Sequence, residues 1–101
     1  MEPLQIIGLK QLDEDEQQVV NKLSNNYYIK IQRLIKNATS LQVHIKVHSK
    51  GGKKRFEVKI RALAPIRIFE SYMEDWDLAK CLHIAFEELQ HEISHKLPER
   101  K

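Results

Sequence analysis

Two segments in the middle of the chain alternate strictly between apolar and polar residues, one from Leu41 to His48 and one from Arg55 to Ala62. Alternation with a period of two is typical of antiparallel strands that bury one face and expose the other. The link between them, residues 49–54, contains Gly51 and Gly52, and glycine is the residue that tight hairpin turns favour. The pattern therefore predicts a β-hairpin with one apolar face and one polar face.

Apolar residues recur at three- and four-residue steps in two longer segments, which predicts two amphipathic helices. Asp13 opens the first helix, because its carboxylate can accept from the amide of Glu16 while Glu16 reaches back. Residues 37–40 form its exit loop. Asp75 caps the second helix, and Leu97-Pro98 ends it. The two apolar stripes consist of Val19, Val20, Leu23, Tyr27, Ile31, Leu34 and Ile35, and of Leu78, Leu82, Ala85, Phe86, Leu89 and Ile93.

Two shorter strands complete the predicted elements. Leu4 to Ile7 is an apolar run that Gly8 ends, and Ile66 to Tyr72 follows the break at Pro65 with poorer alternation. The order is β-α-β-β-β-α within a single domain of residues 1–101. Because both helices must bury their stripes on the one apolar sheet face, the sequence predicts an α+β two-layer sandwich with a mostly antiparallel sheet.

The composition excludes several classes of protein. No apolar run approaches the roughly 20 residues that a membrane-spanning helix needs. The N-terminus lacks the cationic start and apolar core of a secretory signal. A single cysteine, Cys81, excludes an internal disulfide and any zinc site built from several thiolates. We therefore expect a cytoplasmic protein with no membrane partner.

The charges are distributed unevenly along the chain. The overall net charge is only +3, but residues 27–67 hold eleven Lys or Arg and one acid, Glu57, a net of +10. The flanking segments 1–26 and 68–101 carry −3 and −4. Such a basic block is the footprint expected of a protein that neutralises phosphate. The plainer alternative is that cations on exposed strands only discourage edge-to-edge pairing.

The strand alternation converts this basic block into a predicted surface. The open sheet face is expected to carry Lys46, Arg55, Lys59 and Arg61 against one acid, with His44 and His48 beside them. The hairpin tip adds Lys50, Lys53 and Lys54, and the first helix adds Lys30, Arg33 and Lys36 near its C-terminal end. Aromatic residues are few on that face, since Phe56 points to the core. We therefore expect contacts with backbone phosphates of folded RNA, more readily than with single strands.

Three features of the sequence bear on whether the protein is an enzyme. His91-Glu92-Ile93-Ser94-His95 matches the zinc-protease pattern H-E-x-x-H on a helix. It is rejected as a catalytic site because only Glu99 could supply a third ligand and because the two histidines lie off the core stripe. Cys81 at a buried helix edge is typical of core filler rather than of a nucleophile. Gly51-Gly52 lies in a hairpin, not before a helix, so it forms no phosphate-binding loop. We expect no catalytic residues, no metal and no cofactor.

The order of elements and two runs near the C-terminus, Asp75–Leu82 and Phe86–Ile93, together resemble the ribosome hibernation promoting factor family, also called ribosome-associated inhibitor A. The resemblance covers about residues 4–97 and is to the short form of the family. It implies binding to rRNA of the small ribosomal subunit between head and body, over the sites for messenger and transfer RNA. By position, the resemblance adds Lys96 to the residues that face rRNA. The resemblance also implies that the protein inhibits translation. We expect a monomer or weak dimer without a small-molecule substrate.

Three other classes remain as alternatives. A double-stranded-RNA-binding domain also has the order α-β-β-β-α, but it places lysines at the start of its last helix, where this chain has Glu74-Asp75-Trp76-Asp77. A dimerising interaction module that binds no RNA is the second alternative. An enzyme is the third, and stoichiometric zinc would support it.

Overall fold

The fold follows the predicted order of helices and strands. In the computed structural model, which describes residues 3–35, 39–65 and 67–96, the elements are β1 (Leu4–Ile7), a 3-10 turn (Leu9–Gln11), α1 (Glu14–Ile35), β2 (Ser40–Lys50), β3 (Lys53–Leu63), β4 (Ile68–Asp75) and α2 (Leu78–Lys96). The α+β class and the β-α-β-β-β-α order are confirmed. Neither helix in these ranges combines the length and hydropathy needed to cross a bilayer. Several sequence expectations lie outside the described residues, namely those on the N-terminal Met1-Glu2, Lys36, residues 37 and 38, Ile66, Leu97-Pro98 and Glu99.

The sheet has the strand order β1-β2-β3-β4. β1 is parallel to β2, while β2–β3 and β3–β4 are antiparallel. The predicted hairpin is confirmed, and it turns at Gly51 and Gly52, whose φ angles are 59° and 80°. Two successive residues with positive φ match the type I′ turn, whose twist suits a two-residue hairpin loop. The pairing extends to Lys50 opposite Lys53, so the strands reach further toward the turn than the alternation alone predicts.

The core lies on one face of the sheet, under both helices. Leu41, Ala62 and Phe69 are neighbours across β2, β3 and β4, and all three are almost fully buried. α2 packs on β3 and β4, and α1 packs against α2 and β1. Tyr27 of α1 stacks on Phe86 of α2, with ring centroids 4.6 Å apart. Both described helices therefore lie on the same side of the sheet, and no other described element covers the opposite face.

Two serines, one fully buried and one partly buried, interrupt the apolar side of the sandwich in different ways. Ser71 of β4 donates to the carbonyl oxygen of Ala85 in α2 at 2.7 Å. Ser24 of α1 is fully buried, and its hydroxyl has no hydrogen-bond partner among the described residues. A buried hydroxyl without a partner costs free energy, so Ser24 is a weak point of the core.

The sequence predicts the N-terminal cap correctly for α1 but not for α2. The capping box is confirmed, because the Glu16 amide donates to Asp13 Oδ1 at 2.8 Å and the Asp13 amide donates to Glu16 Oε1 at 3.0 Å. The prediction that Asp75 caps α2 is wrong. Asp77 is the cap and accepts from the Lys80 amide at 3.1 Å, while Asp75 is the last residue of β4. The strand β4 runs past Tyr72 because its pairing with β3 continues to Phe56 opposite Asp75.

A side chain extends the short first strand along β2. β1 pairs only with residues Leu41 to His44 of β2, and the chain then turns at Gly8, where φ is 100°. A Cβ atom at Gly8 would lie 2.1 Å from the carbonyl oxygen of Ile45. Gln11 donates from Nε2 to that oxygen at 2.9 Å and accepts at Oε1 from the Val47 amide at 3.0 Å. The Gln11 amide thus hydrogen-bonds to the β2 edge as a further strand residue would.

Candidate nucleic-acid interface

The uncovered side of the sheet, called the open face below, carries the polar residues of the alternating strands. Lys46 lies opposite Glu57, His44 opposite Lys59, and Gln42 opposite Arg61. Arg55 lies opposite His48 nearer the hairpin turn. The strand alternation therefore places Lys46, Arg55, Lys59 and Arg61 on one face, as the sequence predicts, with His44 and His48 between them.

The prediction of a single acid on this face is wrong, because β4 contributes two more. Glu70 is the neighbour of Arg61 in the register of β3 and β4, and Glu74 is the neighbour of Glu57. Arg61 Nε lies 2.9 Å from Glu70 Oε2, although its N–H does not point at the carboxylate. Arg55 Nη1 lies 3.3 Å from Glu74 Oε1. Both arginines of the open face are therefore engaged by carboxylates.

The hairpin and the end of α2 show the same kind of pairing. Lys54 Nζ lies 3.0 Å from Glu16 Oε2, so the carboxylate that completes the α1 capping box also binds the hairpin. Lys96 Nζ lies 3.0 Å from Glu92 Oε2, one helical turn earlier in α2. Both pairs are partly exposed to solvent, and such pairs stabilise a protein by at most about 1 kcal/mol. A stronger anion could therefore displace these carboxylates at modest cost.

A chain of polar contacts crosses the open face around Glu57. His48 Nε2 and Glu57 Oε2 are in close hydrogen-bonding contact, and the Tyr72 hydroxyl donates to Glu74. Burial alone would raise the pKa of Glu57, but the hydrogen bonds from His48 and Tyr72 and the charges of His48 and Lys46 outweigh it and lower the pKa. The hydrogen bond to Glu74 raises the pKa of Tyr72. Glu57 is therefore ionised and Tyr72 protonated near neutral pH.

Four of the five lysines on the open face and the hairpin end make no ion pair within the described ranges. Lys46 and Lys59 lie near the centre of the open face, where they line a shallow depression of about 250 Å³ together with His44, Glu57 and Tyr72. Lys50 and Lys53 lie side by side across the hairpin end. All four side chains are exposed. These lysines are the cations most readily available to an anionic partner.

The structure does not bring the helical candidates onto the open face. Lys30 and Arg33 are exposed on α1, and α1 belongs to the layer that covers the other side of the sheet. The Lys30 ammonium lies 4.9 Å from the centroid of the Tyr27 ring, where it makes a cation–π contact. The predicted basic surface is therefore divided between two opposite sides of the sandwich.

Two exposed aromatic residues were missed by the sequence analysis. Tyr72 lies on the open face beside Lys59 and is 50% exposed, and Trp76, in the link between β4 and α2, is 59% exposed. Trp76 lines a groove with Lys53 and Lys54 at the hairpin. The signal for Tyr72 was its place in the series Ile68, Glu70, Tyr72 and Glu74, which alternates with Phe69, Ser71 and Met73.

The features that suggested an enzyme have ordinary surroundings. His91 and His95 are exposed on α2, with ring centroids 6.4 Å apart, and Glu92 is paired with Lys96. Within residues 3–35, 39–65 and 67–96, no group of three or more metal-ligating side chains converges. Cys81 is fully buried, and its thiol contacts the Met73 carbonyl oxygen at 3.3 Å. Burial, reinforced by the charge of Asp75, raises the pKa of Cys81 to about 11, so the reactive thiolate is scarce at neutral pH.

Comparison with known proteins supports the fold. No family model matches the sequence, and no curated protein is significantly similar to it. Among solved structures, the chain is similar to the N-terminal domain of Protein Y from Thermus thermophilus, with a TM-score of 0.60 and 18% sequence identity. The similarity covers 91% of this chain and 93% of that domain. At this level of identity the two chains share a fold.

Proposed function

We propose that this chain is a cytoplasmic, ribosome-associated RNA-binding protein that occupies the channel for messenger and transfer RNA on the small subunit and inhibits translation. The observation that carries the proposal is a set of four lysines that form no ion pair with any described residue, two at the centre of the open face and two at the hairpin end. The resemblance to hibernation promoting factors and the fold shared with the Protein Y domain support it. The proposal includes no catalytic step, cofactor or small-molecule substrate.

Phosphate binding is the chemistry that these lysines support best. An ammonium group that neutralises a phosphate releases condensed counterions, which favours binding and makes it sensitive to salt. Lys46 and Lys59 can act first, because neither forms an ion pair within residues 3–35, 39–65 and 67–96 that phosphate would have to break. Arg55 and Arg61 can add contacts only after phosphate has replaced Glu74 and Glu70. We therefore expect the two lysines to dominate binding on the open face.

The observed cap of α2 weakens the alternative of a double-stranded-RNA-binding domain. Asp77 places a carboxylate at the first turn of α2, and the link before it contains Trp76 and Asp75. Lysines at this place would be needed to contact phosphates across a groove. Duplex RNA is therefore a less suitable partner for this end of the molecule.

The proposal is tested by sedimentation of the purified protein with purified small ribosomal subunits through a sucrose gradient. The double variant Lys46→Glu/Lys59→Glu is compared with the control Lys22→Glu/Lys80→Glu, which changes the net charge equally but alters exposed lysines of the helical layer. We expect the first variant to leave the subunit fraction and the control to remain there. We also expect the salt dependence of the residual binding to flatten by about two units of slope, because two phosphate contacts are lost.

Two outcomes would contradict the proposal. The first is a wild-type protein that does not sediment with small subunits at low salt. The second is an equal loss of binding in both variants, which would indicate an unspecific response to net charge. Circular dichroism of both variants provides the folding control. We expect spectra like that of the wild type, because all four lysines are exposed.

A further inference from the structure

Tyr72 holds an unusual place on the open face. Among the described strand residues of that face it is the only Phe, Tyr or Trp, because Phe56 and Phe69 point into the core. Half of its surface is exposed. The hydrogen bond from its hydroxyl to Glu74 fixes the far end of the ring. An exposed ring held in one position is suited to stacking, since little side-chain freedom remains to be lost on binding.

The surroundings of the ring combine a small depression with cations. Lys59 is the cross-strand neighbour of Tyr72, and His44 lies beyond Lys59 in the same row of the sheet. Lys46 and Glu57 close the other side of the depression, whose volume is about 250 Å³. Glu57 is engaged by His48 and Glu74 by Arg55, whereas the two lysines make no ion pair within the described chain. The site therefore offers one ring and two available ammonium groups.

We propose that this depression receives one unpaired base of the bound RNA, which stacks on Tyr72 while its flanking phosphates contact Lys46 and Lys59. Exposed aromatic residues on a sheet are a recurrent platform for unstacked RNA bases, and stacking tolerates any base because every base has a π face. The inference rests on the proposed RNA-binding function. It changes one expectation from the sequence, since the open face then recognises an unpaired nucleotide within folded RNA as well as the backbone.

The test compares two RNA probes and three variants. The probes are a perfect RNA duplex and the same duplex with a single-nucleotide bulge. The variants are Tyr72→Ser, which removes the ring, Tyr72→Phe, which keeps it, and Ile68→Ser, a control. Ile68 lies on the same strand and the same face and is 51% exposed, so its replacement removes a similar apolar surface away from the depression. Affinities are measured by fluorescence anisotropy over a series of salt concentrations.

We expect the wild type to prefer the bulged duplex, and Tyr72→Ser to weaken its binding about tenfold without affecting the perfect duplex. Ile68→Ser should stay within about twofold of the wild type. Tyr72→Phe, which keeps the ring but loses the hydrogen bond to Glu74, should lose clearly less affinity than Tyr72→Ser. The loss in Tyr72→Ser should leave the salt slope unchanged, because stacking releases no counterions, whereas Lys46→Glu/Lys59→Glu should flatten it. In the wild type, the ring protons of Tyr72 should shift upfield in NMR spectra on addition of the bulged RNA.

The outcomes separate this inference from the proposed function. If the wild type binds both RNAs and Tyr72→Ser binds them equally well, the stacking site is wrong and the RNA-binding function stands. If Tyr72→Ser and Ile68→Ser lose the same affinity, the effect is not one of stacking and the inference is also wrong. If the wild type binds neither RNA nor small subunits, both proposals fail together.

Discussion

The two faces of the same sheet follow different rules. On the covered face, Leu41, Ala62 and Phe69 meet across three strands because each strand buries every second residue. On the open face, the strand register likewise decides which residues lie beside each charged side chain. Whether that side chain stays available to a partner depends on whether its neighbour carries the opposite charge. Arg61 lies beside Glu70 and forms an ion pair with it, so it is less available to an anionic partner. Lys59 lies beside the uncharged Tyr72 and remains available.

The difference shows that alternation within one strand is enough to place a side chain in the core, whereas the availability of a surface charge also depends on the neighbouring strands. A basic segment of the sequence is not a basic surface until every neighbouring strand is known. Four experiments test this contrast, the first two on the covered side and the last two on the open face.

The largest effect is expected from removing a core ring. Phe69→Ala deletes a fully buried side chain of β4 and leaves a cavity, so we expect a loss of about 3–5 kcal/mol in the free energy of unfolding. Ile68→Ala, at the adjacent position on the open face, should change it by no more than about 0.5 kcal/mol. Denaturation by urea measures both. Similar losses in the two variants would mean that the open face is covered in solution.

Replacing the two serines of the covered side should change the free energy of unfolding by smaller amounts, and in opposite directions. Ser24→Ala removes a buried hydroxyl that has no partner among the described residues, and we expect a gain of about 1 kcal/mol in stability. Ser71→Ala removes the hydrogen bond to the Ala85 carbonyl, and we expect a loss of about 1 kcal/mol. Thermal and urea unfolding should agree in sign. A loss in Ser24→Ala would show that its hydroxyl is satisfied in solution.

Neutralising the β4 carboxylates should strengthen the proposed binding to RNA. In Glu70→Gln/Glu74→Gln the paired Arg61 and Arg55 become available, and we expect affinity for folded RNA to rise about threefold, with a salt slope steeper by up to about two units. Stability should change little, because exposed ion pairs contribute at most about 1 kcal/mol each. The control Glu87→Gln/Glu88→Gln removes equal charge from exposed positions of α2. An equal gain in the control would assign the effect to net charge.

The smallest effect is expected from the titration of Glu57. Its pKa is lower in the folded protein than the ordinary value of 4.5, so the ionised carboxylate contributes stability at neutral pH. This contribution is present above pH 4.5 and is lost as the pH falls through the lowered folded-state pKa. The stability difference between the wild type and Glu57→Gln should therefore shrink below pH 4.5 in urea titrations. A difference that is independent of pH would contradict the lowered pKa.

Most of the fold could be predicted because its signals are local. The alternation in β2 and β3, the glycine pair of the turn and the Asp13–Glu16 box all lie within a few residues. The predicted cap of α2 was wrong because the run Asp75-Trp76-Asp77 contains two aspartates, and either could cap a helix. The pairing of β3 with β4 extends to Asp75, which leaves Asp77 as the cap.

The candidate site could be predicted only in part, because its ion pairs join residues that are distant in sequence. Glu16 and Lys54 are 38 residues apart, and their pairing depends on how α1 lies beside the hairpin. Glu70 and Glu74 reach the arginines through the register of β3 with β4, where the alternation was poor. The division of the cations between two layers likewise needs the packing of α1, which its periodicity alone does not specify.

The Gln11 side chain has a consequence for the behaviour of the protein in concentrated solution. β1 has four residues and β2 has eleven, so much of the β2 edge extends past its partner. By occupying the carbonyl of Ile45 and the amide of Val47, Gln11 denies this edge to a strand from another molecule. An open edge of this kind is a template for pairing with a strand of another molecule, which favours aggregation. The Gln11 amide therefore blocks strand addition locally, along the stretch of β2 from Ile45 to Val47.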